Sequence, residues 1–337
     1  MNKKCMIIAE LSANHGGDIK IAKETIRAAK RAGADAIKMQ TYLPSTMTLD
    51  SNKEDFVVKG GTIWDGRNLY DLYKEASLPW EWHKELFETA KEEGLVCFST
   101  PFDFSAVDFL EKLNCPIYKI ASFEITDIPL IRYIASKGKP IIISTGIATY
   151  EDIVLAIKTC KNEGNNDITI LKCTSSYPAP IDEANLKMIK RFSKDFGVKI
   201  GLSDHTIGNL APVLSIAMGA KVIEKHFILD RSIGGPDASF SMNEEEFKSM
   251  VKDVRAAESA IGVESYDLTD KQVLGRRYSR SIYISKDVKK GGVISKENIK
   301  IVRPGLSIPP IFYDEIIGKK VTKNLSIGDR ITFDILT

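Results

Sequence analysis

Eight short apolar runs, each separated from the next by an amphipathic stretch, restrict this chain more than any other feature of its sequence. The runs are Cys5–Glu10, Ala34–Gln40, Leu95–Thr100, Ile117–Ala121, Pro140–Thr145, Ile168–Thr174, Lys199–Asp204 and Lys221–His226. Each is rich in Ile, Val, Leu or Phe and short enough for a strand buried on both faces. Helical segments fill the intervals. Asp18 is placed to cap the first of them and Gly33 to close it. Pro79 opens the next, which stops at Gly94. Further helices are predicted over Phe104–Asn114, Ile128–Lys137, Thr149–Glu163, Glu183–Phe196, Ile207–Gly219 and Asn243–Ile261. Eight strands alternating with eight helices over about 260 residues predict an α/β chain closed into a (β/α)8 TIM barrel. An open doubly wound sheet is the competing arrangement. Its usual mark, GxGxxG after the first strand, is missing from AELSANHGGD.

The alternation stops near residue 264, so residues 1–264 are assigned to the barrel. Residues 265–279 are polar and basic and read as a linker, and 280–337 as a small, mostly β module punctuated by Gly and Pro. A long insertion, Thr41–Leu78, separates the second strand from its helix, and a long βα loop on this face of a barrel is often functional.

Composition removes several classes. Lys plus Arg number 47 and Asp plus Glu 45, a net charge of +2, which argues against nucleic acid as a partner. There is no apolar run of membrane-spanning length and no signal-peptide pattern at the start, so a cytoplasmic protein is expected. The five cysteines, Cys5, Cys97, Cys115, Cys160 and Cys173, form no CxxC and read as reduced thiols. Those in strand runs are expected to act as small hydrophobes.

Chemistry in such barrels occurs where the strands end. The ends carry Glu10; Lys38 and Gln40; Ser99 and Thr100; Lys119, Ser122 and Glu124; Ser144 and Thr145; Thr174, Ser175 and Tyr177; Ser203 and His205; Glu224 and His226. Lys38 and Lys119 with Ser122, Ser144 and Ser203 offer ammonium charge and hydroxyl donors to a phosphate or carboxylate. His205 and His226 end adjacent strands, which lie about 5 Å apart. Either alone would default to a hydrogen-bonded core residue. Together they can share one ion, and two imidazoles with the remaining shell open suit Mn²⁺ or Mg²⁺ better than structural zinc. His83 reads as structural, and His15 as either site or turn. Lys119 at a strand end also allows a Schiff-base aldolase.

The segments IAELSANHGG (8–17), IKMQTY (37–42), FSTPFD (98–103), YKIASFE (118–124), STGIAT (144–149), KCTSSYP (172–178), GLSDHT (201–206), IEKHF (223–227), GGPDASFSM (234–242) and RPG (303–305) occur in order along the chain. On these the sequence resembles the sialic acid (nonulosonate) synthase family. Its tail resembles the antifreeze-like (SAF, β-clip) domain of those enzymes. KGGTIWDGRNLYDLY and ASFEITDIPLI resemble the pseudaminic branch of the family; legionaminic and N-acetylneuraminic branches are the neighbouring alternatives.

The resemblance implies condensation of phosphoenolpyruvate with an open-chain amino-sugar aldehyde, releasing phosphate by C–O cleavage. It implies that Lys38, Thr100, Lys119, Ser122, Ser144 and Ser203 hold phosphoenolpyruvate. Glu10, Gln40, Tyr177 and Arg303 would meet the sugar, and His205 and His226 would hold a divalent metal, Mn²⁺ or Mg²⁺. Glu10, Glu124 and His226 are the catalytic candidates, with either glutamate open as the group that orients water. Trp64 and Phe123 are candidates to pack on a methyl or acetyl group of the acceptor. The family also implies a domain-swapped homodimer, in which the tail reaches the partner's barrel. An ice- or sugar-binding protein with a vestigial barrel is the non-enzyme alternative, resting on the tail alone.

Overall fold

The computed structural model describes residues 4–337. The chain divides into two compact units, Met1–Gly262 and Val263–Thr337.

The first unit is a closed barrel of eight parallel strands in sequence order. They are β1 (Met6–Glu10), β2 (Ala36–Thr41), β3 (Val96–Pro101), β4 (Tyr118–Ile120), β5 (Ile141–Ser144), β6 (Ile168–Cys173), β7 (Lys199–Asp204) and β8 (Val222–His226). β8 pairs back onto β1 through Met6–Val222 to Glu10–His226, which closes the ring. Each strand coincides with a sequence-predicted apolar run to within two residues at either end.

Helices α1 (Ile19–Arg31), α2 (Pro44–Met47), α3 (Leu69–Ala76), α4 (His83–Glu92), α5 (Phe104–Lys112), α6 (Ile128–Ala135), α7 (Tyr150–Asn162), α8 (Lys187–Phe196), α9 (Leu210–Ala217) and α10 (Glu244–Ile261) follow the barrel around. Asp18 caps α1 by accepting from the Lys20 N–H, as its position predicts. Asn243 and Glu246 form a reciprocal cap on α10. Three helices start later than expected. A 3₁₀ turn at Trp80–Trp82 precedes α4, Asn185 at φ 45° breaks the approach to α8, and Gly208 at φ 82° the approach to α9. Two clusters of buried Ile, Leu, Val, Phe and Ala fill the barrel and the layer between strands and helices. The insertion after β2 is ordered around α2 and α3, with Asn68 capping α3 through the Tyr70 and Asp71 N–H groups.

The second unit begins with α11 (Asp270–Gly275), so the segment read as a linker holds a short helix. β9 (Ser281–Ile284) and β10 (Ile299–Val302) form an antiparallel pair, and α12 (Tyr313–Ile316) follows. A core of Ile282, Ile284, Val288, Ile294, Ile299, Ile308, Val321, Leu325, Ile331 and Ile335 lies within this unit. Among the described residues no helix is long and apolar enough to cross a membrane.

Candidate active site

Strand register brings the first group together. Glu10 is the register partner of Lys38 on β2 and of His226 on β8. Lys38 is buried, and its Nζ lies 2.5 Å from Glu10 Oε2, 3.9 Å from Glu224 Oε1 and 3.1 Å from Thr100 Oγ1. Gln40 donates to Glu10 Oε1 at 3.3 Å, and the Ser203 hydroxyl donates to Glu224 Oε1 at 3.1 Å. Lys119 is likewise buried and donates to the Ile120 carbonyl at 2.9 Å. Two ammonium groups and two carboxylates therefore share one desolvated space. Burial lowers Lys119, with Glu224 pulling the other way and Lys38 adding to the drop. Burial also opposes charge on Lys38, but Glu10 and Glu224 outweigh it and raise Lys38. Of the two carboxyls, Glu10 is pushed up by burial, against the pull of Lys38. Glu224 feels the same burial but is held down by both lysines.

Hydroxyls line the mouth beside these charges. Ser144, at the end of β5, is buried with no hydrogen-bond partner for its Oγ. Ser122 Oγ accepts from the Gly146 N–H at 3.0 Å. A Cβ on Gly146 would come within 1.9 Å of Ser175 Oγ and 2.9 Å of Ser122 Oγ, so the backbone approach there requires glycine. Glu124 closes this side. Its Oε2 is buried without a partner, and burial raises the carboxyl to about 7 despite Lys119.

The second group centres on the imidazoles. His205 and His226 have ring centroids 5.3 Å apart. Tyr177 lies 4.4 Å from the His205 ring, Trp64 5.4 Å from Tyr177, and Phe240 5.0 Å from His226. Trp64 is held by its Nε1–H on the Pro236 carbonyl at 3.1 Å. His205 Nδ1 meets the Thr174 carbonyl at 2.9 Å. A carbonyl only accepts, so Nδ1 carries a proton. Burial opposes charge on His205, but Cys173 and the Thr174 carbonyl outweigh it and raise the imidazole, so a metal at Nε2 would displace the second proton. His226 Nδ1 is buried without a hydrogen-bond partner, 3.8 Å from Asp237 Oδ2. Burial, then the positive neighbours, hold His226 neutral, the form that ligates a metal. This donor set fits a divalent ion. Among the described residues no group of three or more His, Cys, Asp or Glu converges as a metal cluster. A cation on the two imidazoles would complete its shell from water or substrate oxygen.

A chain of hydrogen bonds joins the two groups. Ser12 donates to Asp237 beside His226, and Gln40 Nε2 donates to Ser12 Oγ at 2.9 Å and to Glu10 at 3.3 Å. Glu10 then meets Lys38, and Lys38 meets Thr100. The cationic and imidazole sides thus open onto the same mouth.

All the sequence-predicted site residues but Arg303 lie in the first unit, and all of those but Trp64 sit on the strands or in the turns directly after them. Arg303 lies in the second unit, exposed immediately after β10. Phe123 is exposed after β4, whereas Trp64 is carried inward by the β2 insertion onto Tyr177. His15 serves its turn, accepting from the Gly17 N–H at 3.1 Å, and His83 bonds Thr41 Oγ1 at 2.8 Å and the Pro79 carbonyl at 3.1 Å.

Three residues escaped the sequence reasoning as site members. Asp237 and Ser12 lie in motifs already singled out, but only folding shows them meeting beside His226. Cys173 departs from the small-hydrophobe expectation. Its Sγ lies 3.8 Å from His205 Nδ1 and from Ser175 Oγ. Burial pushes that thiol up, but His205 and hydrogen bonds from His205, Ser122 and Ser175 bring it down to about 7. In Cys5, Cys97, Cys115 and Cys160 burial dominates and raises the thiol.

Residues 25–266 match the NeuB family, and residues 279–336 match the SAF domain. The chain belongs to the NeuB family. It is 52% identical, over 98% of this chain and 96% of the relative, to a pseudaminic acid synthase of Campylobacter jejuni (strain 81-176). It is 49% identical to a pseudaminic acid synthase of Helicobacter pylori, over 97% of this chain and 96% of that protein. The crystal structure of an N-acetylneuraminic acid synthetase from Leptospira borgpetersenii, in complex with citrate, matches with a TM-score of 0.73 and 31% identity. It covers 81% of this chain and 90% of that one. As a NeuB-family member with synthase relatives along its whole length, the chain is an enzyme.

Proposed function

We propose that this enzyme is a pseudaminic acid synthase, a carbon–carbon bond-forming transferase. It condenses phosphoenolpyruvate with 2,4-diacetamido-2,4,6-trideoxy-L-altrose and water, giving pseudaminic acid and phosphate by C–O cleavage. One observation carries the reading. An ammonium-and-hydroxyl set and an imidazole pair meet in one barrel mouth, in a chain about half identical to relatives named for this activity.

The roles follow from the charges. Lys38 and Lys119 offset the anionic charge of phosphoenolpyruvate, while Thr100, Ser122, Ser144 and Ser203 supply hydroxyls to phosphate and carboxylate oxygens. A substrate anion would compete with Glu10 for Lys38, freeing a carboxyl that burial already pushes upward. The enol C3 attacks the aldehyde carbon, water adds at C2, and the tetrahedral phosphate collapses to the 2-keto acid. A divalent cation, Mn²⁺ or Mg²⁺, held by His205 and His226 would supply Lewis-acid polarisation of the aldehyde oxygen. Glu124, held near neutral pH, suits the exchange of a proton with the incoming water. Glu10 and Gln40, on the Asp237 side, suit the sugar hydroxyls. The wall of Tyr177 and Trp64 suits a 6-deoxy sugar with two acetamido groups. In this reading the enzyme works in the cytoplasm, where phosphoenolpyruvate is made, and as a domain-swapped homodimer in which Arg303 meets the acceptor's acyl group.

Product identification tests the assignment. The purified enzyme, phosphoenolpyruvate, Mn²⁺ and a panel of amino sugars should yield pseudaminic acid by mass and NMR. With ¹⁸O in the bridging ester position, the label should leave in phosphate. Unlabelled phosphate would mean P–O cleavage and a different reaction. The lowered pKa of Lys119 is the one observation favouring the Schiff-base alternative. Borohydride with substrate should leave Lys119 unmodified; trapping there would replace this reading.

A further inference from the structure

The two strands that carry the imidazoles are tied together on their outer face by a buried ion pair. Strand alternation puts Ser203 and His205, and Glu224 and His226, on the lumen side of β7 and β8, and turns Asp204 and Lys225 outward. Asp204 and Lys225 are register partners, each one residue before a histidine. Lys225 is 1% exposed and Asp204 3%. Lys225 Nζ lies 2.5 Å from Asp204 Oδ2 and 2.5 Å from the Thr206 carbonyl. Asp204 in turn accepts from the Thr206 N–H and the Thr206 hydroxyl, each at 3.1 Å. Both charges, the turn after His205 and the end of β8 are thereby joined in one satisfied network. Neither side chain belongs to the lumen.

Stability does not account for it. A buried ion pair can often be replaced by apolar residues of similar volume at no cost, because desolvation cancels most of the attraction. What an apolar pair does not reproduce is direction. An ammonium bonded at once to a carboxylate and to the next carbonyl fixes the register of the two strand ends and the path of residues 204–206.

We propose that Asp204, Lys225 and Thr206 are positioning residues that hold His205 and His226 at the separation a shared divalent cation requires. The inference rests on the metal reading above. It adds that the geometry of the imidazole pair is set from outside the barrel by residues that touch neither metal nor substrate.

Mn²⁺ binding to the full-length apoprotein, followed by loss of the free-ion electron paramagnetic resonance signal, separates the two ideas. Wild type should bind and His226→Ala should not. Absence of binding by wild type, or unchanged binding by His226→Ala, overturns the metal reading and this inference with it. The double variant Asp204→Leu, Lys225→Met should fold, with a melting temperature lowered by the Thr206 groups it strands, yet bind Mn²⁺ more weakly by about 10-fold or more, as on loss of outer-shell support. Wild-type affinity in that folded variant overturns the positioning role while leaving the metal reading intact. Should the double variant not fold, Thr206→Val decides. It strands no charge and removes one hydroxyl bond to Asp204, so Mn²⁺ affinity should fall about fivefold; unchanged affinity overturns the proposal.

Discussion

Glu124 shows how far one side chain's surroundings decide its chemistry. It ends the 3₁₀ turn Ser122–Glu124, yet its Oε2 is buried without a partner and the carboxyl is raised to about 7. In the unfolded chain the same group titrates near 4.5. The folded state therefore holds the proton more tightly. Its contribution to stability is fully present below about 4.5 and is lost as pH rises through about 7. Glu124→Gln removes this titration. The variant should gain on wild type between those pH values, by about 3 kcal/mol at most, and then level off. Parallel thermal melts across pH check it, and a pH-independent difference would contradict the raised carboxyl. The same substitution should lower kcat by about 10²-fold or more if Glu124 moves the proton of the attacking water. That Glu124 belongs to the site was legible in YKIASFE. Its elevated pKa was not, because burial is a property of the packed mouth.

At the scale of elements, the loops beyond the strands turn a common barrel into this one. The turn after β5 brings Gly146 against Ser122 and Ser175, closer than any Cβ permits. Gly146→Ala should displace both hydroxyls and raise KM for phosphoenolpyruvate about tenfold or more. It should also lower the melting temperature, since the new methyl meets Ser175 Cβ at 2.9 Å as well as the two movable hydroxyls. Steady-state kinetics with phosphoenolpyruvate as the varied substrate measures it. The β2 insertion acts on the other substrate. Anchored on the Pro236 carbonyl, Trp64 reaches Tyr177 from a segment more than a hundred residues earlier in the chain. Trp64→Ala should narrow discrimination between the 6-deoxy diacetamido sugar and N-acetylmannosamine, by roughly the 10-fold that one apolar contact carries. Ratios of kcat/KM for the two sugars read this out, and unchanged ratios would exclude the contact. The insertion was recognisable as an unusually long βα loop. Its direction was not, since that depends on where Pro236 lies.

For the whole molecule, strand ends far apart in sequence combine into one mouth whose cationic and imidazole sides are joined by hydrogen bonds from Asp237 to Thr100. The second unit keeps its own core, and the proposed homodimer gives its Arg303 a function in the partner's barrel. Mixing a His226→Ala protein with an Arg303→Ala protein, each nearly inactive, should then restore activity, toward about a quarter of wild type at statistical exchange of subunits. No recovery after subunit exchange would remove the swap. The alternation of apolar and amphipathic segments was enough to dictate an eight-stranded ring, because burying every run on both faces leaves few other arrangements. It also announced which strand ends carry polar groups. Packing alone decided that Glu10 and Glu224 share Lys38, that Asp237 comes beside His226, and that Asp204 and Lys225 meet behind the two imidazoles. Those are contacts between strands and loops, and their distances depend on register and closure, which no local stretch of chain encodes.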